Sequence, residues 1–386
     1  MNNKNPDIQE LLDLEDIEEN EHKYFQEYGY LPFNVSTWNP TEYFSRTYLW
    51  KQIHLVPFNY IPYLYSYEID STLLRTTRKN LGGSDKFGCL ICNTGTSAIS
   101  LVTSVLKAIG IKRVLIICPV YYSVLYNFLQ RGIQIIKIYL QNIRDGYCLP
   151  QSQIIEMLDS IDAIWITNPI YNTSVYWKKE DIDFFKFKIP SRILIICDDC
   201  YAASEHELIQ NFGNNSNYIS IHDPLKQILV NGLKFAGILY PFKYEHDFEH
   251  WSDIICGSLS YSTVQSLEFF NSANFKKICS QLQQHFYDAN KRLQQLLQHF
   301  PTLFMDSNSS CSHMRMCFAP NLPHDYLQDK EKMFLFMVET GTSLIPGNRF
   351  HFPNNNGFSF RINLGRDCDE FWDALIHIFK FLSSNL

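Results

Sequence analysis

The sequence predicts an α/β protein: a large domain with a mostly parallel sheet covered by helices on both faces, plus a smaller α+β domain made from the C-terminal part and the N-terminal segment. Three observations carry this. Between residues 89 and 241, short all-apolar runs rich in β-branched residues alternate with stretches of helical periodicity, the pattern of strands buried on both faces. After Pro241 the pattern changes to a long amphipathic helix, then to further helices and isolated strands. The 386 residues are long for one core and suit two domains of unequal size. The boundaries read as 1–55 for an N-terminal arm and part of the small domain, 56–262 for the large domain and 263–386 for the small C-terminal domain.

Taken in order, residues 1–30 form an acidic, partly helical lead-in with a narrow stripe of Ile8, Leu11, Leu12 and Leu14, expected as a surface arm. Residues 31–80 are aromatic and punctuated by Pro32, Pro40, Pro57 and Pro62, which suits an extended segment wrapping over something else. Gly82-Gly83-Ser84 marks a turn. From Cys89 an apolar run and a turn lead into a helix whose apolar positions are Ala98, Ile99, Leu101, Val102, Val105, Leu106 and Ile109, stopped by Gly110. Strand-like runs follow at 114–118, 133–138, 163–167 and 193–197, with a helix near 122–129. Loops after such strands lie at their carboxyl ends, where open α/β sheets bind ligands. The stretch 219–241 holds an apolar run, a His-Asp-Pro turn, Lys226, Gly232, Lys234, then Gly237 within a second apolar run. One amphipathic helix is expected over 263–300, carrying Val264, Leu267, Phe270, Ile278, Leu282, Phe286 and Leu293 and ended by Pro301. Helices at 330–339 and 369–382 and a strand at 359–364 complete the chain.

A net charge of −7 with scattered Lys and Arg offers no basic face for nucleic acid. The eleven cysteines are irregularly spaced, and several end buried runs. They read as free thiols in a reducing cytosol rather than a disulfide framework. The polar, acidic N-terminus lacks the pattern of a signal peptide, and no apolar run approaches the ~18 residues of a membrane span. A cytoplasmic protein is the expectation, with no metal site.

Several residues at the ends of successive elements could carry chemistry. Thr94-Gly95-Thr96-Ser97 opens a helix, where close backbone approach, hydroxyls and the helix dipole suit a phosphate, although a plain N-cap looks the same. Tyr121 follows a strand and offers a stacking face. Asn168 to Ser174 follows the next strand, and its Tyr171 and Asn172 offer hydrogen bonds to a phenolate or a carboxylate. Asp198 ends a buried strand, so its carboxylate needs a partner or caps a helix, and Tyr201 lies three residues on. Lys226 is placed to form an imine with an aldehyde, and Lys234 to hold a phosphate. Arg361 is a lone guanidinium in an apolar strand, suited to gripping a carboxylate of the protein or of a ligand.

In that order the set resembles the fold-type-I pyridoxal-phosphate enzymes, specifically the class I/II aminotransferase family, over roughly residues 60–386. The resemblance implies pyridoxal 5'-phosphate as cofactor, an amino acid and a 2-oxo acid as substrates, and a homodimer. By it, Lys226 is the lysine bonded to the cofactor, Asp198 the partner of the pyridine nitrogen, and Tyr201 the donor to the ring oxygen. It makes Tyr121 the stacked aromatic, and Gly95, Thr96 and Ser97 the phosphate cup. Arg361 would grip the substrate carboxylate. The chain departs from the family pattern in three places. Tyr171 and Asn172 stand where the family has its Asn-Pro pair, and either suits the ring oxygen. Asp223 stands where the family has serine, and is expected to point away from the phosphate it would repel. Lys234 replaces the phosphate-binding arginine and loses the bidentate grip. These departures suggest a divergent branch, with elimination, cyclisation or decarboxylation as the alternative to amino transfer. A binding or regulatory module that merely keeps the fold is the non-enzymatic reading.

Overall fold

The computed structural model describes residues 15–49, 53, 64–143, 146–173, 175–199, 202, 207–212, 217–306, 312–352 and 357–384. Helix α1 (Glu15–Tyr28) comes first. It is no loose arm: Ile17, Asn20 and Tyr24 are buried at i, i+3 and i+7. Its Asn20 Nδ2 donates to the Lys330 carbonyl at 3.1 Å, and Asp16 pairs with the Lys330 ammonium at 2.6 Å. The stripe expected at Ile8–Leu14 lies outside the described residues. The 31–80 stretch is only partly extended, because Ser71–Asn80 is a helix that Asp70 caps by accepting from the Thr72 and Leu73 amides.

The large sheet has seven strands: β1 (Phe87–Cys92), β2 (Arg113–Cys118), β3 (Gln134–Tyr139), β4 (Ala163–Thr167), β5 (Leu194–Asp198), β6 (Tyr218–His222) and β7 (Ala236–Pro241). Their order is β1-β7-β6-β5-β4-β2-β3. Only β7 runs against its neighbours; the other pairs are parallel. Every residue of β4, β5 and β6 is buried, which is why these strands read as mainly apolar runs, with Thr167, Asp198, Ser220 and His222 as their polar members. The period of two still sorts side chains between the faces. Val114, Ile116, Trp165 and Ile196 pack on one side with α2 (Gly95–Ala108) and α3 (Tyr122–Gln130); Leu115, Ile117, Ile164, Ile166 and Ile195 pack on the other. Cys89 and Cys92 of β1 likewise face opposite sides, so their Cys-x-x-Cys spacing cannot close on a metal. Among the described residues no cluster of metal-ligating side chains occurs, and no helix is long and apolar enough to cross a membrane.

The helix expected over 263–300 is two helices, α4 (Tyr261–Phe270) and α5 (Ala273–Leu297). Ser272 breaks it, because its side chain accepts from the Phe275 amide and starts a new helix there. The small antiparallel sheet contains β8 (Phe304–Met305), β9 (Met314–Ala319) and β10 (Phe358–Asn363), ordered β8-β9-β10. Helices α6 (Lys330–Thr340) and α7 (Asp369–Ser384) belong to the same C-terminal region. The N-terminal segment joins it through parallel pairing of Phe33–Asn34 with Thr342–Ser343, and Asn363 donates to the Val35 carbonyl at 2.9 Å. The N-terminal segment and the C-terminal region thus meet, and set Arg361 against Trp38.

Candidate active site

The parallel strands end along one rim, and the turns beyond them enclose a cavity of about 190 Å³. After β1, Thr94 caps α2 and leaves Gly95 and Thr96 facing the cavity. After β2, Tyr121 caps α3; after β4, the loop carries Tyr171; β5 ends on Asp198. After β6 the chain passes through Asp223 into a short 3-10 turn (Pro224–Ile228) that holds Lys226, then through Asn231 and Lys234 into β7. Trp38 and Asn39 close the cavity from the N-terminal segment, and Ile99 supplies apolar wall.

Of the residues expected from the sequence, Gly95, Thr96, Tyr121, Tyr171, Asp198, Lys226 and Lys234 line this one cavity. Three do not. Ser97 turns back into a capping box: its hydroxyl receives the Thr94 amide at 3.0 Å and donates to the Thr94 carbonyl at 2.8 Å. Thr94 takes its place in the lining. Asn172 holds a left-handed backbone (φ 59), which asparagine tolerates, and its Oδ1 accepts from Arg361 Nη1 at 3.1 Å. Arg361 is 1% exposed, and its Nε donates to the Ser36 carbonyl at 2.7 Å. Tyr201 lies outside the described residues. Trp38 and Asn231 are additions that the sequence did not suggest. The Trp38 ring centre lies 5.7 Å from Lys226 Nζ and 4.9 Å from Arg361 Cζ, within cation–π range of both. Asn231 Nδ2 fixes that segment by donating to the Trp38 carbonyl at 2.9 Å.

Asp223 contradicts its expected direction. It points into the cavity lining, 2% exposed, with Oδ2 3.4 Å from Lys226 Nζ. Its carboxylate lies against the start of α2, where the Gly95 amide helps to draw its proton affinity down. Burial pushes the Asp223 carboxyl above the usual carboxylate range, while Lys226 and Lys234 pull it down. A β-carbon on Gly95 would sit 3.0 Å from Asp223 Oδ2 and 3.6 Å from Lys226 Nζ, so glycine is what lets these three groups meet. Beside Asp198, Asp199 turns away to accept from Asn168 Nδ2 at 2.7 Å; burial pushes its carboxyl up to about 7.

No family model matches the sequence, and no curated protein matches it. Solved structures match its fold. The solved structures that follow share its fold, and the likeness is one of fold. The kynurenine aminotransferase of Pyrococcus horikoshii superposes with a TM-score of 0.72 at 14% identity, covering 96% of this chain and 95% of its own. N-succinyldiaminopimelate aminotransferase from Mycobacterium tuberculosis gives 0.72 at 14%, covering 95% and 96%. A pyridoxal-phosphate-bound C-S lyase from Staphylococcus hominis gives 0.68 at 15%, covering 92% and 93%.

Proposed function

We propose that the protein is a pyridoxal-phosphate-dependent aminotransferase that moves an amino group between an amino acid and a 2-oxo acid. The observation that carries this reading is the arrangement of one lysine amine and one buried carboxylate, Lys226 and Asp198, in the same small cavity, with an aromatic ring at Tyr121. Lys226 has 26% of its side chain exposed, so its nitrogen is reachable, while Asp198 is 2% exposed. These residues fit the aldehyde and ring of pyridoxal phosphate: an amine for the aldehyde, an acid for the pyridine nitrogen, a face for stacking. At the other end, the Gly95 amide and the α2 terminus fit its phosphate, with Asp223 as the one anion among them.

Bound there, the cofactor would supply an electron sink for the pair left when the substrate α-proton departs. The work left to the chain is proton handling and orientation. Asp198 would hold a proton on the ring nitrogen. Lys226 Nζ would carry the α-proton away and return it. The resemblance gives Arg361 the substrate carboxylate; buried against Trp38 and outside the cavity lining, it would reach one only with Trp38 displaced, while Asn172 steadies its guanidinium. Tyr171, buried beside Tyr121 at 6.0 Å between ring centres, would set the ring's edge.

Lys226→Ala should abolish amino transfer to an added 2-oxo acid and remove the visible absorption of the bound aldehyde. An unchanged rate or an unchanged spectrum would sink the assignment. The likeness to a C-S lyase supports a second reading, elimination from a sulfur-bearing amino acid. Ammonia released without transfer of the amino group to a 2-oxo acid would favour it. The family resemblance also supports a cytoplasmic homodimer, which light scattering of the purified protein and cell fractionation test.

A further inference from the structure

Asp223 fills, from within the chain, the position that the proposed cofactor's phosphate would take. Three observations meet there. Asp223 Oδ2 lies against Gly95, 3.0 Å from where a β-carbon there would stand, at the positive end of the fourteen-residue helix α2. Lys226 Nζ lies 3.4 Å from Asp223 Oδ2, and Lys234 adds its charge to the same carboxylate. Asp223 is 2% exposed, and its second oxygen, Oδ1, has no hydrogen-bond partner among the described residues. Asp223 precedes Pro224, which keeps it out of the helical region, and it has φ −128 and ψ 73.

The charged groups facing Asp223 are few. Lys226 and Lys234 come from its own turn and from the approach to β7, and α2 contributes its N-terminus. Asp198, Tyr121 and Tyr171 line the same cavity. The neighbouring His222 is held neutral by burial, down to about 3, with Ser220 Oγ 2.8 Å from its Nε2. Counted formally, the two lysines of the lining are offset by its two carboxylates, Asp198 and Asp223, and leave no net positive charge for a phosphate as well. A phosphate and an ionised carboxylate cannot share one amide and one helix end, because each raises the other's affinity for a proton. A protonated carboxyl can share them: it becomes an O–H donor of the kind a serine hydroxyl would supply.

We propose that Asp223 is a built-in anion in the phosphate cradle, and that a phosphorylated ligand enters only as Asp223 takes up a proton. This rests on the cofactor reading above, and makes loading of the cofactor weaken as pH rises. The balance is simple: one proton from solvent goes to an Asp223 oxygen, and a phosphate oxygen accepts a hydrogen bond from the Gly95 amide.

The test is a pair of titrations of the whole protein by absorbance, one with pyridoxal phosphate and one with pyridoxal, from pH 6 to 9. Wild type is compared with Asp223→Asn, which mimics the protonated carboxyl, and with Asp223→Ser; thermal melts show that each variant folds. The expected result is that pyridoxal phosphate binds wild type progressively more weakly than Asp223→Asn, by about tenfold per pH unit while Asp223 is ionised in the free protein. Asp223→Ser should follow Asp223→Asn. Pyridoxal, without the phosphate, should show a much smaller divergence, the part that comes from Asp223 facing the Lys226 amine. Calorimetry in buffers of different ionisation enthalpy should count one more proton taken up by wild type than by Asp223→Asn. Parallel pH profiles for wild type and Asp223→Asn, or equal proton counts, overturn the proposal while leaving the cofactor reading intact. If no variant binds pyridoxal phosphate at any pH, the cofactor reading falls and takes this proposal with it.

Discussion

Replacing Gly95 with alanine separates what the cradle does for folding from what it does for a ligand. Gly95 is the first residue of α2, where alanine gains up to about 1 kcal/mol of helix preference over glycine. Against this, the new β-carbon would meet Asp223 Oδ2 at 3.0 Å, which the carboxylate relieves by moving a few tenths of an ångström. The two effects are similar in size, so stability should stay within about 1 kcal/mol of wild type. Ligand binding has no such compensation. The methyl group stands on the cavity side, beside Lys226 Nζ at 3.6 Å, where a phosphate oxygen would approach the amide. Losing one hydrogen bond to a charged group costs about 1.5–3 kcal/mol, a weakening of roughly 10- to 150-fold. Absorbance titration with pyridoxal phosphate measures the second effect, and urea unfolding without cofactor measures the first. A folded Gly95→Ala protein whose affinity stays within about twofold of wild type would refute the placement of the phosphate at α2.

Two further outcomes follow from buried charge. Asp306 and Arg315 pair at 3.0 Å with 0% and 1% of their side chains exposed; Asp306→Ala should cost about 3–5 kcal/mol in urea unfolding by stranding the guanidinium, and a loss under about 1 kcal/mol would mean that water reaches it. Burial pushes the Asp199 carboxyl up to about 7, above the unfolded value of about 3.9, so its proton stabilises the fold at low pH and that contribution is lost as pH rises from about 4 to 7. Asp199→Asn should therefore be the more stable protein at pH 8, by up to about 4 kcal/mol, with the difference closing near pH 4; a less stable variant at pH 8 would contradict this.

The large sheet was legible because its strands are buried on both faces, so Ala163–Thr167 and Leu194–Asp198 are apolar up to their last residues. The site was legible where a residue ends such a strand. Asp198 is the last residue of β5, and its position follows from the strand's length. What was missed depends on side-chain direction or on distant chain. Ser97 and Thr94 look equally suited to a phosphate on paper, yet a serine three residues after a threonine cap can close a capping box, and here it does. That signal was present in the sequence. Trp38 had none: it reaches the rim because Phe33–Asn34 pairs with Thr342–Ser343, over three hundred residues away, and nothing local announces such a pairing. The break at Ser272 was hidden because the apolar spacing continues across it, through Phe270 and Phe275, while the cap decides the geometry.

The two substitutions in the cradle make sense only together. An arginine at 234 beside Asp223 would form a planar, bidentate pair with the carboxylate, keeping it ionised and seated against the Gly95 amide. Lysine offers a point charge without that fork, so it pulls the Asp223 proton affinity down without locking the oxygens in place. The same lysine can then turn to a phosphate once the carboxyl is neutral. Serine with arginine makes a cradle always ready for an anion; aspartate with lysine makes one whose readiness depends on a proton. Burial is what gives the difference force. At 2% exposure Asp223 cannot swing out to water to escape a second anion, so neutralisation is its cheapest response.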